Sequence, residues 1–260
     1  MLHIETTGSG PALVLLHGWG LHGGVFEPLV RRLAHRYRLH LVDLPGHGHS
    51  RGDGRLQDVD ACIDELLQRT PQASWLGWSL GGLLALRAAA VSAQVTSLVL
   101  VAASPSFVRR QNWPHAVEPE VFERFASDLR DDYPGTLQRF LALDTLGSEH
   151  ARAELRSLKE ALYLRGEPSP QALQAGLALL HDSDLRACLG QLARPSLWIS
   201  GRRDRLVPAA AMAAAAALSG GEHVDIAGAG HAPFLGHADQ VAAAIAGFHA
   251  GLATAQALRA

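Results

Sequence analysis

The chain is short of most features that announce a partner or a compartment. Only two cysteines, Cys62 and Cys188, occur in 260 residues. Two isolated thiols make neither a disulfide framework, a metal knuckle nor a redox motif, and a reducing cytoplasm is the expected setting. Net charge is nearly absent as well. Lys and Arg number 23 against 25 Asp and Glu, leaving −2, so no global basic field draws the chain to nucleic acid or to an anionic membrane. The longest unbroken apolar run, residues 209–218, has ten residues, about half of what a membrane-spanning helix needs. Nothing before the first strand-like run, at residues 3–6, reads as a signal peptide, so none is expected. Charged residues make up 18% of the chain and apolar ones 48%. That is too little charge to solvate an open chain and enough apolar surface to demand a core, so disorder is excluded. The length favours one large domain over two.

What is present is an alternation. Short β-branched or leucine-rich runs at 12–16, 38–42, 73–77, 96–102, 196–200 and 222–226 read as strands, and segments 26–34, 56–69, 80–90, 209–218 and 238–251 between and after them read as helices. Continuous apolar strands separated by crossover helices predict an α/β fold with a mostly parallel sheet flanked by helices. The alternation stops for about 90 residues. Segment 105–194 has helical periodicity punctuated by Pro105, Pro114, Pro119, Pro134, Pro168 and Pro170. The expected organisation is therefore a core of 1–104 and 195–260 with 105–194 as a helical lid subdomain.

One motif carries chemistry. Gly77-Trp78-Ser79-Leu80-Gly81 is a G-x-S-x-G placed where a strand hands over to a helix. Glycines flank the serine because the turn is too sharp for side chains on either side of it. Serine is a poor nucleophile without a base held by an acid. His231, in the loop Gly228-Ala229-Gly230-His231, and Asp204, in Gly201-Arg202-Arg203-Asp204, both follow strands and reach the same sheet edge. The order Ser, Asp, His is that of α/β-hydrolases and not of the two unrelated serine-protease folds. Oxyanion donors are expected from the backbone N–H of Leu80 and of Trp19, the latter in His17-Gly18-Trp19-Gly20. His17 itself reads as a structural histidine that ties this loop down. His47 and His49 lack a third ligand at sensible spacing, a serine triad has no use for zinc, and Asp43 beside them reads as structural. No metal and no cofactor is called for. Dehalogenase and epoxide-hydrolase chemistry needs an aspartate where this chain has Ser79.

These motifs, together with Asp43-Leu44-Pro45-Gly46-His47-Gly48, Trp113-Pro114, Phe140-Leu141-Ala142-Leu143 and Gly230-His231-Ala232-Pro233-Phe234, resemble the pimeloyl-acyl-carrier-protein methyl ester esterases of bacterial biotin synthesis. The resemblance runs the length of the chain. It implies the α/β-hydrolase fold with the lid inserted before the strand that carries the catalytic Asp, and a monomeric serine carboxylesterase whose partner is an acyl-carrier protein. Ser79, Asp204 and His231 are implied as the triad, Trp19 and Leu80 as contacts of the reacting ester, and Phe140, Leu141, Ala142, Leu143 and Asp144 as lining of the acyl channel. A neutral amide is expected at 144, so the carboxylate of Asp144 is expected to point to solvent. Leu141, Leu143 and Leu146 offer apolar surface for a methylene chain. Arg152, Arg156 and Lys159 recur on one helical face, with Arg139 upstream at the channel mouth, and suit an acidic carrier. The same cations also read as a solvated face neutralised by Glu149, Glu154 and Glu160. Two other functions remain open: a general short-chain esterase or carbon–carbon bond hydrolase of the same fold, and a hydrolase-like receptor that no longer catalyses.

Overall fold

Strands made of unbroken apolar runs need cover on both faces, and the sheet is arranged to provide it. The computed structural model describes residues 1–258. Its strands are β1 (His3–Thr7), β2 (Ala12–Leu16), β3 (Arg38–Asp43), β4 (Ala73–Trp78), β5 (Val95–Val101), β6 (Ser196–Gly201) and β7 (Glu222–Ile226). They form one sheet in the order β1-β3-β2-β4-β5-β6-β7. Only β1 is antiparallel to its neighbour. Every residue of β4 and β6 is buried. The core of the molecule lies against these central strands, where Trp75, Leu76, Trp78, Leu98, Trp198 and Ile199 are enclosed.

Helices α1 (Glu27–Leu33), α2 (Val59–Arg69), α3 (Leu80–Val91), α9 (Ala209–Ser219), α10 (Pro233–Gly236) and α11 (Ala238–Ala257) belong to the sheet layers. The start of α2 lies three residues later than the periodicity suggests, because Asp58 caps it by accepting the N–H groups of Asp60 and Ala61. At the other end of the chain α11 runs past residue 251, since Gly247 and Gly251 sit in open space and the alanines around them hold the helix. The alanine run forms α9 and buries Ala211, Met212, Ala215 and Ala216, one helical stripe. It stops at Gly220, whose left-handed φ of 64° lets its N–H close on the last carbonyls.

Between β5 and β6 the chain passes through α4 (Pro119–Asp131), α5 (Tyr133–Thr145), α6 (Ala151–Leu164), α7 (Pro170–Asp182) and α8 (Arg186–Leu189). These helices are fastened to the sheet layers by polar groups from both sides. The Trp19 indole N–H donates to the Leu173 carbonyl at 2.8 Å and His22 Nε2–H to the Ala161 carbonyl at 2.6 Å. Arg165 reaches back to the buried Asp43 at 3.2 Å and to Glu5.

The chain order also explains where chemistry can happen. From β2 the chain moves outward to β3, then crosses to the other side of β2 to form β4. Loops leaving β2 and β4 therefore diverge at the carboxyl edge of the sheet and leave a crevice between them, the usual ligand position in open α/β sheets. His17-Gly18-Trp19-Gly20 follows β2 and Ser79 follows β4.

Candidate active site

Ser79 sits at φ 53°, ψ −118°, a conformation few non-glycine residues adopt. The neighbours hold it there. Its N–H donates to the Val101 carbonyl at 3.0 Å, and its own carbonyl accepts from Gly82 and Leu83 at 2.9 and 3.2 Å. The turn works only because α3 crosses the strand ends in direct backbone contact. A Cβ on Gly77 would lie 2.4 Å from the Gly81 carbonyl oxygen, and one on Gly81 would lie 2.2 Å from the Leu16 oxygen.

A continuous line of hydrogen bonds leaves the serine. Ser79 Oγ–H donates to His231 Nε2 at 2.9 Å, and His231 Nδ1–H donates to Asp204 Oδ2 at 2.8 Å. The second oxygen of Asp204 accepts the backbone N–H groups of Leu206 and Val207 at 2.8 and 2.9 Å, which fixes the carboxylate plane. Burial pulls the His231 pKa down. The charge and hydrogen bond of Asp204, with help from Asp144, outweigh that and hold it above the ordinary histidine value. The imidazole is thus a stronger base than one in water, and its protonated form has a counter-charge in place. Ser79 and His231 each keep only 1% of their surface exposed, so this line of groups lies under the helices and not on an open face.

The oxyanion candidates occupy the two loops beside the crevice. Among the described residues, neither the Leu80 nor the Trp19 backbone N–H has an intramolecular acceptor. The Trp19 ring packs on Phe140 of α5 with centroids 4.5 Å apart. His17 bridges the base of the loop: its Nδ1–H donates to the Gly18 carbonyl at 2.7 Å and its Nε2 accepts the Leu44 N–H at 2.9 Å. Burial drives its pKa well down, so it is neutral. Linear spacing concealed one grouping, because folding brings His3 and Asp43 beside His49. The Asp43 oxygens are already engaged by Gly23 N–H, His49 N–H and Arg165.

Helix α5 corrects several expectations. Leu137, Phe140, Leu141 and Asp144 recur at helical spacing and all are buried, so Asp144 faces inward and not to solvent. Five consecutive residues cannot share one side of a helix. Ala142 is exposed, Leu143 only half-buried, and Leu146 keeps 54% of its surface, which removes it from any apolar channel. Arg139, expected at a channel mouth, is engaged by Asp128 and Asp132 at 3.4 and 3.2 Å. Arg152, Arg156 and Lys159 are exposed on α6, and among the described residues none of them forms an ion pair. Two of the carboxylates expected to neutralise them turn elsewhere: Glu154 is buried against Ser148, and Glu149 accepts from His237 at 2.9 Å.

Two groups that hold the base escaped the sequence reading. The Trp78 indole N–H donates to the His231 carbonyl at 2.8 Å, and the Asp144 carbonyl accepts the His231 N–H at 3.0 Å. The tryptophan before the serine was a visible signal, and the inward stripe of α5 was another. Burial raises the Asp144 carboxyl to about 7, with His231 opposing and Asp204 reinforcing the shift. The folded protein therefore keeps a proton that the unfolded chain releases near pH ~4, and this site costs stability as pH rises from there. The advantage of Asp144→Asn over wild type is accordingly expected to widen up to about pH 7 and then level off. Paired melting curves across pH measure it; a difference independent of pH would contradict the buried carboxyl.

A profile described as the α/β hydrolase fold matches residues 11–238. The pimeloyl-[acyl-carrier protein] methyl ester esterase of Xanthomonas oryzae pv. oryzae (strain MAFF 311018) is 63% identical over 248 residues, covering 95% of this chain and 98% of its own. The protein of the same name from Stenotrophomonas maltophilia (strain R551-3) is 59% identical over 255 residues, covering 98% of each. Among solved structures, an esterase from Exiguobacterium antarcticum superimposes with a TM-score of 0.86 at 24% identity, covering 95% of this chain and 94% of that one. The enol-lactonase of Burkholderia xenovorans LB400 gives 0.82 at 20% identity and covers 96% of each chain. At such identities the two structures speak for the fold alone.

Proposed function

The chain belongs to the α/β hydrolase family and, within it, to the pimeloyl-[acyl-carrier protein] methyl ester esterases, and from that membership we propose how its residues divide the work. The enzyme is a carboxylic ester hydrolase that cleaves the methyl ester of pimeloyl-[acyl-carrier protein]. Ser79 is the nucleophile, His231 the base and Asp204 the group that holds and compensates it. The observation that carries this assignment is the unbroken hydrogen-bond line, 2.9 Å from Oγ to Nε2 and 2.8 Å from Nδ1 to Oδ2, inside a buried site.

Attack by Oγ on the ester carbonyl passes the hydroxyl proton to Nε2, and the imidazolium that results is stabilised by Asp204. Charge developing on the carbonyl oxygen is met by the N–H groups of Leu80 and Trp19. His231 returns the proton to the departing methoxy group, methanol leaves, and water then releases the acyl chain from Ser79 as a free carboxylate. Phe140, Leu141 and the Trp19 ring form the apolar wall beside the reacting carbon. The reaction serves biotin synthesis in the cytoplasm and is carried out by a monomer with 105–194 as its lid.

Arg152, Arg156 and Lys159 on α6 are the proposed dock for the acidic carrier. Reversing the charge at Arg152 and Arg156 is expected to raise KM for the carrier-linked methyl ester about tenfold, on the scale of two or three exposed ion pairs lost. A free short methyl ester should be hydrolysed as before. An equal loss on both substrates would show damage to the lid in place of a dock, and a wild type that prefers the free ester would favour the general esterase.

A further inference from the structure

Buried polar groups almost always have partners, and Asp144 is an exception inside the site. Its carboxyl is fully buried, and among the described residues neither oxygen has a hydrogen-bond partner. Oδ1 lies 4.0 Å from His231 Nε2, the atom that also contacts Ser79 Oγ. The main chain of Asp144 is tied to the base as well, because its carbonyl accepts the His231 N–H at 3.0 Å. A gap of 4.0 Å is too long for a direct bond between Nε2 and Oδ1. One water about 2.8 Å from each would span that distance, with roughly 90° between the two directions, close to the angle between the O–H bonds of water.

We propose that Asp144 is the residue that positions the deacylating water, holding one of its hydrogens while His231 Nε2 removes the other. The proposal rests on Ser79 being the nucleophile and concerns the second half of the reaction. In the acyl-enzyme, His231 is neutral and Nε2 accepts the first O–H. As that proton moves to Nε2, the water oxygen bonds to the acyl carbon and the carbonyl electrons move onto its oxygen. The intermediate collapses by breaking the C–Oγ bond, and Nε2 gives its proton back to Ser79 Oγ. Acid is the first product and loses its proton to solvent. Above about pH 7, where Asp144 is ionised, it gains and loses nothing; it aims the oxygen and lends negative charge to the imidazolium.

The arrangement distinguishes water from alcohol. Methanol has a single O–H, which Nε2 must take, so nothing is left for Asp144 and the carboxylate faces the lone pairs and methyl of the alcohol. The same residue therefore speeds hydrolysis and resists return of the acyl group to methanol.

Three measurements on the intact enzyme test this with a p-nitrophenyl ester as acyl donor, comparing wild type, Asp144→Ala and Asp144→Asn. In Asp144→Ala the steady-state rate is expected to fall about 10- to 100-fold, the loss of one charge-assisted bond. A burst of nitrophenol near one equivalent should precede it, with the acyl mass found on Ser79. In water–methanol mixtures the share of methyl ester among the products should rise several-fold. Asp144→Asn, the same shape with a weaker acceptor, should fall between the two and serves if the alanine variant fails to fold. An unchanged partition between water and methanol, or acylation slowed as much as deacylation with no adduct, overturns the role of Asp144. Fluorophosphonate labelling separates that result from a failure of the underlying reading, since an unlabelled Ser79 in wild type would remove the nucleophile itself.

Discussion

Ser79→Ala is expected to lower kcat on a methyl ester by about 10⁴- to 10⁶-fold, the range for removing the nucleophile of a serine triad. The loss is chemical and should leave the fold nearly untouched. Ser79 Oγ makes its hydrogen bond to His231, and the strain at φ 53° is the same for alanine as for serine. What remains is a buried imidazole with one partner fewer, a cost of about 1 kcal/mol, because Asp204, the Trp78 indole and the Asp144 carbonyl still hold His231. The measurement is a single-turnover assay beside a melting curve, with fluorophosphonate labelling as a control. Turnover above about one part in a hundred would mean that another group opens the ester, and the proposed roles of His231 and Asp204 would fall with that of Ser79.

Gly81→Ala should act in the opposite sense, on the fold before the chemistry. The added methyl would lie 2.2 Å from the Leu16 oxygen, 2.6 Å from its carbon and 2.7 Å from the His17 oxygen. All of these are backbone atoms at the end of β2, so no rotamer change relieves the overlap; α3 must move off the sheet and take the serine turn with it. The expected destabilisation exceeds about 4 kcal/mol, in the exceptional tail of single substitutions, and a fall in Tm of about 8 °C or more follows for a chain of this size, at ~2–4 °C per kcal/mol. Gly247→Ala is the matched comparison. Gly247 lies in α11 with no atom within 4 Å of the added carbon, and alanine there should stabilise by about 0.5–1 kcal/mol. If Gly81→Ala melts within a few degrees of wild type, the close crossing of α3 over β2 is not the constraint that shapes the serine turn.

How much of this was readable in advance differs from residue to residue. The strand at Ala12–Leu16 was legible to the residue, since an unbroken apolar run bounded by Gly-Pro and His-Gly has few other ways to fold. Ser79 was legible because its two glycines answer a steric demand that lies within five residues of chain. His231 and Asp204 could be chosen by their position after strands, and the structure brings His231 to hydrogen-bonding distance of both Asp204 and Ser79. Asp144 carries two opposing signals. Its chemical type argued for solvent, while the stripe of Leu137, Phe140 and Leu141 argued for the interior, and the stripe decided. Arg139 was counted with the cations of α6, yet its charge is taken up by Asp128 and Asp132 on the approach to its own helix.

By itself the sequence determined the α/β architecture, the turn that exposes a serine, and the order of the groups able to activate it, because each is encoded by short-range periodicity, by glycine where no Cβ fits, or by position after a strand. Only the tertiary structure decided which carboxylate faces the base. Asp144 and His231 stand 87 residues apart, on a helix of the insertion and a loop of the sheet layer. Their 4.0 Å separation follows from how α5 packs over the sheet edge, a balance of many buried contacts that no local pattern records.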